Sequence, residues 1–393
     1  MKHIFILLIL VVFSMFAFGE TIELSHRAKI NVVTCGPGQG ELYEAFGHSA
    51  YHVFDPANGI DYIYNYGVFD FDQPNFYLNF ARGYLNYKLD RQEYSMFVEY
   101  YIYFNRSVVE QELNLNKEEK QKLFEFLENN FKPENQYYYY DYFYDNCATR
   151  IRDALSSALD DRVSYYEGYV NDTKTIRELT DDHLKYQPWG DLGIDICLGL
   201  PMDKVATPFM YMFLPDYIYK AFEKATIKEK DGVEKPLVLN TYEIFNARPQ
   251  EIEVAFFTPL KTFWLVFLLF LLVFVIEWKK NLYFRWVDII WFSVLGLLGL
   301  FLLLLWFGTN HLAAAGNLNL LWAWPLYLLG LFYLIKKQER KLYIFYRYHG
   351  FLALLVVVMW FFIPQDMHTA FFPLALVSLL RSYRIQNHFK NAA

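Results

Sequence analysis

The last third of the chain is rich in apolar stretches, and these constrain the fold more than any other feature. Five such stretches follow Pro259, at residues 260–277, 287–307, 318–335, 342–363 and 367–380. A helix rises about 1.5 Å per residue and needs about 20 apolar residues to cross a bilayer. Four stretches reach or nearly reach this length, and the fifth is shorter. The sequence therefore predicts an all-α transmembrane domain of five helices over residues 259–393.

The loops between these stretches alternate in charge. Lysine and arginine cluster after the first stretch, after the third and in the C-terminal tail, at Lys279, Lys280 and Arg285, at Lys336, Lys337, Arg340 and Lys341, and at Arg381, Arg384 and Lys390. The loops at 308–316 and 364–368 contain neither residue type. Cytoplasmic loops carry the positive excess. The first stretch is therefore predicted to run from outside to inside, which places residues 20–258 outside the cytoplasm.

The N-terminus independently indicates export. Met1-Lys2-His3 is followed by an apolar run at 4–18 and then by the small residue Gly19. This pattern is typical of a cleaved signal peptide over residues 1–19. An uncleaved membrane anchor is the alternative, and in both cases the chain from residue 20 onward is exported.

Charge and cysteine content argue against some classes of function. The formal net charge is −7 and the sequence has no basic patch, which argues against nucleic-acid binding. The three cysteines are Cys35, Cys147 and Cys197. An odd number in an exported domain leaves at least one free thiol, so a Cys35–Cys197 bridge and three unbridged thiols both stay open. No histidine–cysteine group has zinc-ligand spacing, so neither a metal nor another cofactor is expected.

Residue patterns predict an α+β external domain over residues 20–258. Extended segments are expected at 28–34, 49–54, 62–69, 94–103 and 106–113. A turn at 55–59 would join the second and third of these as a hairpin. Helices are expected at 117–131, 147–159, 173–186 and 215–228. The first of these helices has a capping box, formed by Asn116 and Glu119.

A cysteine at the start of one predicted helix is a candidate nucleophile. Cys147 follows Asp145 and Asn146, which are both capping residue types. A helix N-terminus and a neighbouring histidine each lower the pKa of a thiol and favour the reactive thiolate. His48, in the motif Phe46-Gly47-His48-Ser49-Ala50, is the candidate base. Free N–H groups at the same helix start would hold a developing oxyanion.

A third residue is expected to orient the histidine, as is common for catalytic histidines. If the segments at 49–54 and 62–69 pair about their turn, residues near 65 lie across from His48. Asn65 is the first choice and Asp61 the reserve, because a one-residue slip of register reverses which side chains face the histidine.

Four further polar residues are candidates for substrate contact. Arg150 and Arg152 lie about one turn into the helix of Cys147, where they would meet a phosphate or lipid headgroup. Their alternative is surface ion pairing, for example with Asp153. His311 and Asn317 lie in an external loop of the transmembrane domain. They would line a donor or acceptor site, or else belong to a solvated turn.

Four motifs of the external domain carry a resemblance to a known family. They are Thr34-Cys35-Gly36-Pro37-Gly38, Phe46-Gly47-His48-Ser49-Ala50, Tyr64-Asn65-Tyr66-Gly67-Val68-Phe69-Asp70-Phe71 and Asp145-Asn146-Cys147-Ala148-Thr149-Arg150. This set resembles the Lnb family, the lipoprotein N-acyltransferases of Bacteroidota, which have an external N-terminal domain and a five-span C-terminal domain. The order of histidine and cysteine is also similar to permuted papain-like (NlpC/P60) proteins and to the lecithin:retinol acyltransferase family. The resemblance implies a papain-like fold for the external domain.

The resemblance also implies a reaction. Cys147 and His48 would be the catalytic pair of a lipoprotein N-acyltransferase in the bacterial inner membrane, with the catalytic domain on the periplasmic side. Cys147 would take an acyl chain as a thioester from a phospholipid or other lipid donor. It would then pass the chain to the α-amine of a diacylated lipoprotein acceptor. A membrane-tethered cysteine peptidase or amidase acting on cell-wall peptides, a lipid hydrolase and a non-enzymatic scaffold are the alternatives.

Overall fold

The computed structural model describes residues 22–69, 71–229, 232–249, 252 and 255–392. It consists of an external α+β part followed by a helical part with several long apolar helices. The α+β class with a helical C-terminal region, predicted from the sequence, is therefore confirmed. The signal peptide expected at 1–19 lies outside the described residues.

Most of the described strands form one antiparallel sheet in the external part. The strands are β1 Lys29–Cys35, β2 His48–Asp55, β3 Ile60–Val68, β4 Leu85–Glu93, β5 Val108–Leu113, β6 Tyr137–Tyr140, β7 Val163–Ser164, β8 Thr226–Lys228, β9 Glu234–Pro236 and β10 Val238–Phe245. The large sheet has the order β10-β5-β1-β2-β3-β4-β6, and β7, β8 and β9 form a small second sheet. β2 therefore lies at the centre of the large sheet, between β1 and β3.

Helices cover both faces of the large sheet. Those of the external part are α1 Phe76–Ala81, α2 Tyr94–Tyr103, α3 Lys117–Phe131, α4 Cys147–Ala158, α5 Ile176–Leu184, α6 Pro188–Cys197, α7 Pro208–Tyr211 and α8 Pro215–Lys224. The main core lies between the sheet and α3, α4, α5 and α8. A smaller core lies on the opposite face, under α2.

The β2–β3 hairpin positions the candidate site and agrees with the sequence prediction. Its register pairs Tyr51 with Tyr64, and the pairing continues to the turn at 56–59. Extending that register toward the start of β2 places Asn65 diagonally across from His48 on the same face of the sheet. Diagonal neighbours on one face lie within side-chain reach of each other.

One predicted strand is wrong, because residues 94–103 form α2 instead. Its buried residues Phe97, Val98 and Tyr101 share one helical face, which packs on the smaller core. The aromatic content of this segment favours a strand on propensity alone, but packing of one face overrides such a preference. The four predicted helices are present as α3, α4, α5 and α8, and the capping box of α3 is found. The last of them is shorter than predicted, because it ends at Lys224 and residues 226–228 form β8.

The described residues of the C-terminal part form five α-helices of 9 to 24 residues, and three of these are long and apolar enough to cross a membrane. The helices are α9 Pro259–Lys279, α10 Arg285–Gly308, α11 Tyr327–Ile335, α12 Glu339–Met359 and α13 Phe372–Phe389. The spans of sufficient length are Pro259–Lys279, Arg285–Gly308 and Glu339–Phe362, with mean hydropathies of 2.4, 2.5 and 1.6.

Two of the predicted spans differ from the helices that form. The stretch at 318–335 is broken: a 3₁₀ turn covers Leu318–Leu321, and α11 begins only at Tyr327. Pro325 lies between them, and proline lacks the N–H that a continuous helix would need there. The last helix begins at Phe372, later than expected, and continues to Phe389.

A buried charge network joins three helices of the membrane part. Arg381 of α13 donates to Glu277 of α9 (2.6 Å) and to Asp288 of α10 (2.6 Å), and all three side chains are fully buried. Arg384 donates to the carbonyl of Leu282. Buried charges are costly in a membrane unless they are paired, so this network fixes how the helices pack. The sequence assigns both arginines to the positive charge of a cytoplasmic tail. In the structure they form internal ion pairs, Arg381 with Glu277 and Asp288, and Arg384 with Glu277.

Candidate active site

The side chain of Asn146 fixes the start of α4 and thereby the position of Cys147. Its Oδ1 accepts from the N–H groups of Ala148 and Thr149, both at 2.9 Å. Its Nδ2 donates to two backbone carbonyls outside the helix, at 2.7 and 2.8 Å. Cys147 is therefore the first helical residue, as predicted. The N–H groups of Ala148 and Thr149 both donate to this cap. Contrary to the sequence prediction, these two groups are therefore not free to hold an oxyanion.

His48, at the start of β2, lies between Cys147 and Asn65. Its Nε2 is 2.6 Å from Oδ1 of Asn65, and the side chain of Cys147 also lies beside its ring. An amide oxygen can only accept, so Nε2 carries the proton in this pair and Nδ1 is left for the sulfur. The structure thus brings together the cysteine, the histidine and the first-choice third residue.

The electrostatics of the pair favour charge separation. Burial acts to raise the pKa of the Cys147 thiol, but His48 and the N–H groups of Ser49 and Ala148 hold that pKa below its ordinary value. Burial acts to lower the pKa of His48, but Cys147 and Asn65 hold it above its ordinary value. Opposite shifts of this kind favour a thiolate beside an imidazolium, which is the reactive form of a catalytic cysteine.

Asp61, the reserve for the third residue, has a different partner. Its Oδ1 lies 2.8 Å from Nε2 of His52, the next histidine along β2. Nδ1 of His52 lies 3.3 Å from Oε2 of Glu110, and its ring stacks on Tyr94 at a centroid distance of 3.9 Å. Of the two alternatives, Asn65 is the one that contacts His48.

A tyrosine of β6 faces the same space as the thiol. Gly67 lies beside the site with φ of +89°. A Cβ added there would lie 3.7 Å from Cβ of Cys147, 3.3 Å from the ring of Tyr140 and 3.9 Å from the hydroxyl of Tyr138. That hydroxyl is buried and has no hydrogen-bond partner among the described residues. Buried polar groups are nearly always paired, so this one is a candidate donor to a reaction intermediate.

Arg150 supports this tyrosine. Its Nη2 is 2.5 Å from Oδ2 of Asp145, and its guanidinium lies 4.0 Å from the centre of the Tyr138 ring. Arg150 therefore packs behind Tyr138, and contact with a lipid headgroup stays a prediction for this residue.

Arg152 contacts residues outside the group of Cys147, His48 and Asn65. Its Nε donates to Asp153 at 2.7 Å, the pairing named above as its alternative, and its guanidinium stacks on Phe209 at 3.8 Å. The side chain is buried in this arrangement. Its position speaks against headgroup contact.

The three cysteines are all free, so the Cys35–Cys197 bridge is not formed in this structure. Burial raises the pKa of Cys35 far above its ordinary value, and burial raises that of Cys197 to about 11. Of the three thiols, Cys147 is the one whose pKa is lowered. The environment therefore favours the thiolate at Cys147 and the neutral thiol at Cys35 and Cys197.

The candidate residues of the membrane part lie where the two parts meet. Nε2 of His311 is 3.2 Å from the carbonyl oxygen of Phe80 in α1. Nδ2 of Asn317 donates to the carbonyl of Ile196 in α6 at 2.8 Å, and Asn317 is buried. Both side chains hold the parts together. Substrate contact stays a prediction for His311. For Asn317, burial between the two parts speaks against this role.

One group in the described part of the chain has the residue types and spacing to hold a metal ion. Asp191, Asp195 and His368 each place a ligand atom within 4.8 Å of the others. Nη1 of Arg177 already donates to Asp195 at 2.8 Å, and Nε2 of His368 lies 3.4 Å from Asp191. The pair of Arg177 with Asp195 lies within the external part, the contact of His368 with Asp191 joins it to the membrane part, and together they account for the group.

Sequence reasoning missed Tyr138 and Gly67. The available signal was the tyrosine run at 137–140, since alternation along a strand puts Tyr138 and Tyr140 on one face. The sequence does not show which strand lies beside this run. The pairing of β6 with β4 next to β3 supplies that information.

Two family models match the chain. The family model described as the Lnb N-terminal periplasmic domain matches residues 24–182. The model described as the Lnb transmembrane domain matches residues 251–391. Comparisons with curated proteins and with solved structures each found no match.

Proposed function

The chain belongs to the Lnb family, as a membrane protein with a periplasmic N-terminal domain, and on that premise we propose that it is a lipoprotein N-acyltransferase of the bacterial inner membrane. The observation that carries the proposal is the grouping of Cys147, His48 and Asn65 in a domain fixed to membrane helices. A cysteine–histidine pair suits acyl transfer, and the membrane supplies both an acyl donor and a lipid-anchored acceptor.

In the first half-reaction, the thiolate of Cys147 attacks the ester carbonyl carbon of a lipid donor. The thiol proton rests on Nδ1 of His48. The hydroxyl of Tyr138 and the backbone N–H of Cys147 donate to the tetrahedral oxyanion. When the ester C–O bond breaks, His48 returns its proton to the leaving oxygen. The products are a lysolipid alcohol and an acyl thioester on Cys147.

In the second half-reaction, the α-amine of a diacylglyceryl-cysteine attacks the thioester carbonyl. His48, now neutral, takes one proton from the amine as the new C–N bond forms. The C–S bond then breaks, and Cys147 leaves as the thiolate beside the imidazolium. The lipoprotein gains an amide-linked chain, and the enzyme returns to its starting state. Water in place of the amine would give a lipid hydrolase from the same geometry.

Asn65 has a positioning role in this scheme. Its amide oxygen holds Nε2–H and so keeps Nδ1 directed at the sulfur through both half-reactions. Because the amide of Asn65 is neutral, it does not fix the charge of the imidazole, which can change with the charge of Cys147.

The test uses the full-length protein in phospholipid vesicles with a synthetic diacylated lipopeptide. Mass spectrometry should show a triacylated product with wild-type protein and none with Cys147→Ala. The matched control is Cys197→Ala, which removes a half-buried thiol at the end of α6 and should keep wild-type activity. Release of free fatty acid without N-acylation would replace the proposal with a lipid hydrolase. Cleavage of a peptide bond would replace it with a peptidase.

A further inference from the structure

The short helix α1 presents apolar side chains to its surroundings. None of its six residues is buried, although four of them are large and apolar. Tyr77 is 76% exposed, Leu78 is 56% exposed and Phe80 is 48% exposed. A contiguous exposed apolar patch on an exported domain typically marks a contact with protein or membrane.

The attachment of α1 shows which of these contacts applies. The N–H of Asn310 donates to the carbonyl of Arg82, just after α1, at 2.8 Å. A Cβ on Gly83 would lie 2.8 Å from the carbonyl carbon of Asn310, so the two segments are in direct contact. The membrane span α10 ends at Gly308, two residues earlier. This attachment holds α1 at the level of the external membrane surface.

A row of aromatic rings connects α1 to the candidate active site, and we refer to it as the aromatic row. Its members, in order, are Phe76, Phe69, Tyr87 and Tyr140. Successive ring centroids are 6.2, 5.0 and 4.5 Å apart. The last ring borders the space at Gly67, which Cys147 borders from another side. A continuous series of ring contacts therefore runs from the membrane-level helix to the ring that lies beside Cys147.

We propose that α1 lies in the interfacial layer of the external leaflet, and that the aromatic row is the path along which a lipid acyl chain reaches Cys147. The first half of this proposal is independent of catalysis, and the second half rests on the proposed function. Tyrosine, which has one polar end, favours the membrane–water interface, and phenylalanine and leucine bury at the boundary between headgroups and acyl chains, which suits the residues of α1.

The chemistry of the path fits an acyl chain. Aromatic rings form a wall without fixed charge, which accommodates hydrocarbon and gives a peptide backbone few partners. At the end of the wall, Gly67 has no side chain, which keeps the small space between the Tyr140 ring and Cβ of Cys147 free of side-chain atoms. A side chain at this position would fill that space, and the positive φ would strain any residue but glycine.

The first experiment measures membrane depth without requiring activity. A nitroxide is attached to Tyr77→Cys in full-length protein carrying Cys147→Ala and Cys197→Ala, in phospholipid vesicles. The matched control is Tyr166→Cys in the same background, since Tyr166 is also well exposed, at 66%. The label at residue 77 should collide more with oxygen and less with a water-soluble nickel chelate than the label at 166. Equal nickel accessibility at both positions would overturn the membrane placement of α1.

The second experiment tests the path. The double variant Tyr77→Asp with Phe80→Asp should lower N-acylation in vesicles by about tenfold or more, because charge opposes insertion at the interface. Alkylation of Cys147 by iodoacetamide should keep its wild-type rate, which shows that the site is intact. Tyr77→Trp with Phe80→Leu should restore transfer. Unchanged N-acylation in the aspartate variant would overturn the path.

The two experiments distinguish failure of the membrane placement of α1 from failure of the proposed N-acyltransferase function. If the nitroxide at residue 77 lies in the membrane but wild-type protein makes no triacylated product, the proposed function fails and the membrane contact stands. If wild-type protein makes the product and the nitroxide is in water, the inference fails alone.

Discussion

His48 and His52 lie four residues apart on β2 and face the same side of the sheet, yet their surroundings differ. Each packs near α2: the ring centroids of His48 and Phe97 are 6.4 Å apart, and those of the stacked rings of His52 and Tyr94 are 3.9 Å apart. His48 has a neutral amide on one nitrogen and a thiol on the other side. Both nitrogens of His52 face carboxylates. The comparison teaches that partners, rather than place in the fold, decide what a buried histidine can do.

The surroundings of His52 suit a structural role. Glu110 also accepts from Asn31 at 2.7 Å, so the histidine belongs to a closed polar network between strands. Burial acts to raise the pKa of Glu110, but hydrogen bonds and charge from its neighbours, His52 first, hold it below the ordinary value. A histidine between two carboxylates has no nitrogen left for a substrate. At His48, by contrast, one nitrogen faces a group that changes charge in the proposed reaction.

The largest expected difference between the two histidines is in activity. His48→Ala should lower N-acylation by about 10³-fold, because both proton transfers lose their carrier. The protein should remain folded in the membrane, as shown by an unchanged elution profile in detergent. Substantial remaining activity would show that the two histidines do not differ in the way described.

His52→Ala should have the complementary effect. Removing the histidine takes a hydrogen-bond partner from the buried carboxylate of Glu110 and from the partly exposed carboxylate of Asp61, and leaving a buried group without its partner costs about 1–3 kcal/mol of unfolding free energy. A lower Tm in detergent, with activity per folded molecule close to that of wild type, is the expected result. A loss of activity without a loss of stability would assign His52 to the catalytic site instead.

Tyr138→Phe tests the other side of the site. Removing a single oxyanion donor costs about 10²-fold in kcat, and the phenylalanine keeps the ring that Arg150 covers. KM should change little, because the hydroxyl acts on the transition state. A Tyr139→Phe variant, on the adjacent and exposed residue of β6, serves as the control. A change in KM alone would reassign Tyr138 to substrate binding.

Asn65 allows a smaller and more specific test through pH. Transfer should decline as pH falls through the lowered pKa of Cys147, because the thiolate is protonated. It should decline again as pH rises through the raised pKa of His48, because the imidazolium that protonates the leaving oxygen is lost. Asn65→Ala removes one cause of the raised pKa of His48. The alkaline limb should therefore move to lower pH, with a loss of about tenfold at the optimum.

Asn65→Asp would give His48 a carboxylate partner and make it resemble His52. A negative neighbour favours the imidazolium, so the alkaline limb should move to higher pH. A shift of the limb in the same direction for both variants would contradict the role assigned to Asn65. The readout is the pH profile of kcat for the three proteins at saturating lipopeptide.

Sequence alone predicted the parts of the molecule that depend on local patterns. Asn116 with Glu119 and Asn146 before Cys147 marked the helix starts, because capping is a contact within four residues. The hairpin was predictable from its turn, and its register then brought Asn65 to His48. These features needed no information about distant strands.

What could not be predicted depends on packing between distant segments. The local pattern of residues 94–103 predicts a strand, and only the packing of one face against the sheet explains why they form α2. The sequence indicates a cytoplasmic charge at Arg381, because it does not show that α9 and α10 place Glu277 and Asp288 beside this residue. Tyr138 gained significance only from the sheet order that places β6 near β3.

The most direct test of the central claim is to trap the acyl chain on the enzyme. Full-length protein is incubated with phospholipid but without an acceptor amine, and its intact mass is measured. One added acyl chain, located on Cys147 and removable by hydroxylamine, is the predicted result. The adduct should be absent in Cys147→Ala and greatly reduced in His48→Ala. An adduct on another residue, or undiminished trapping in His48→Ala, would contradict the account.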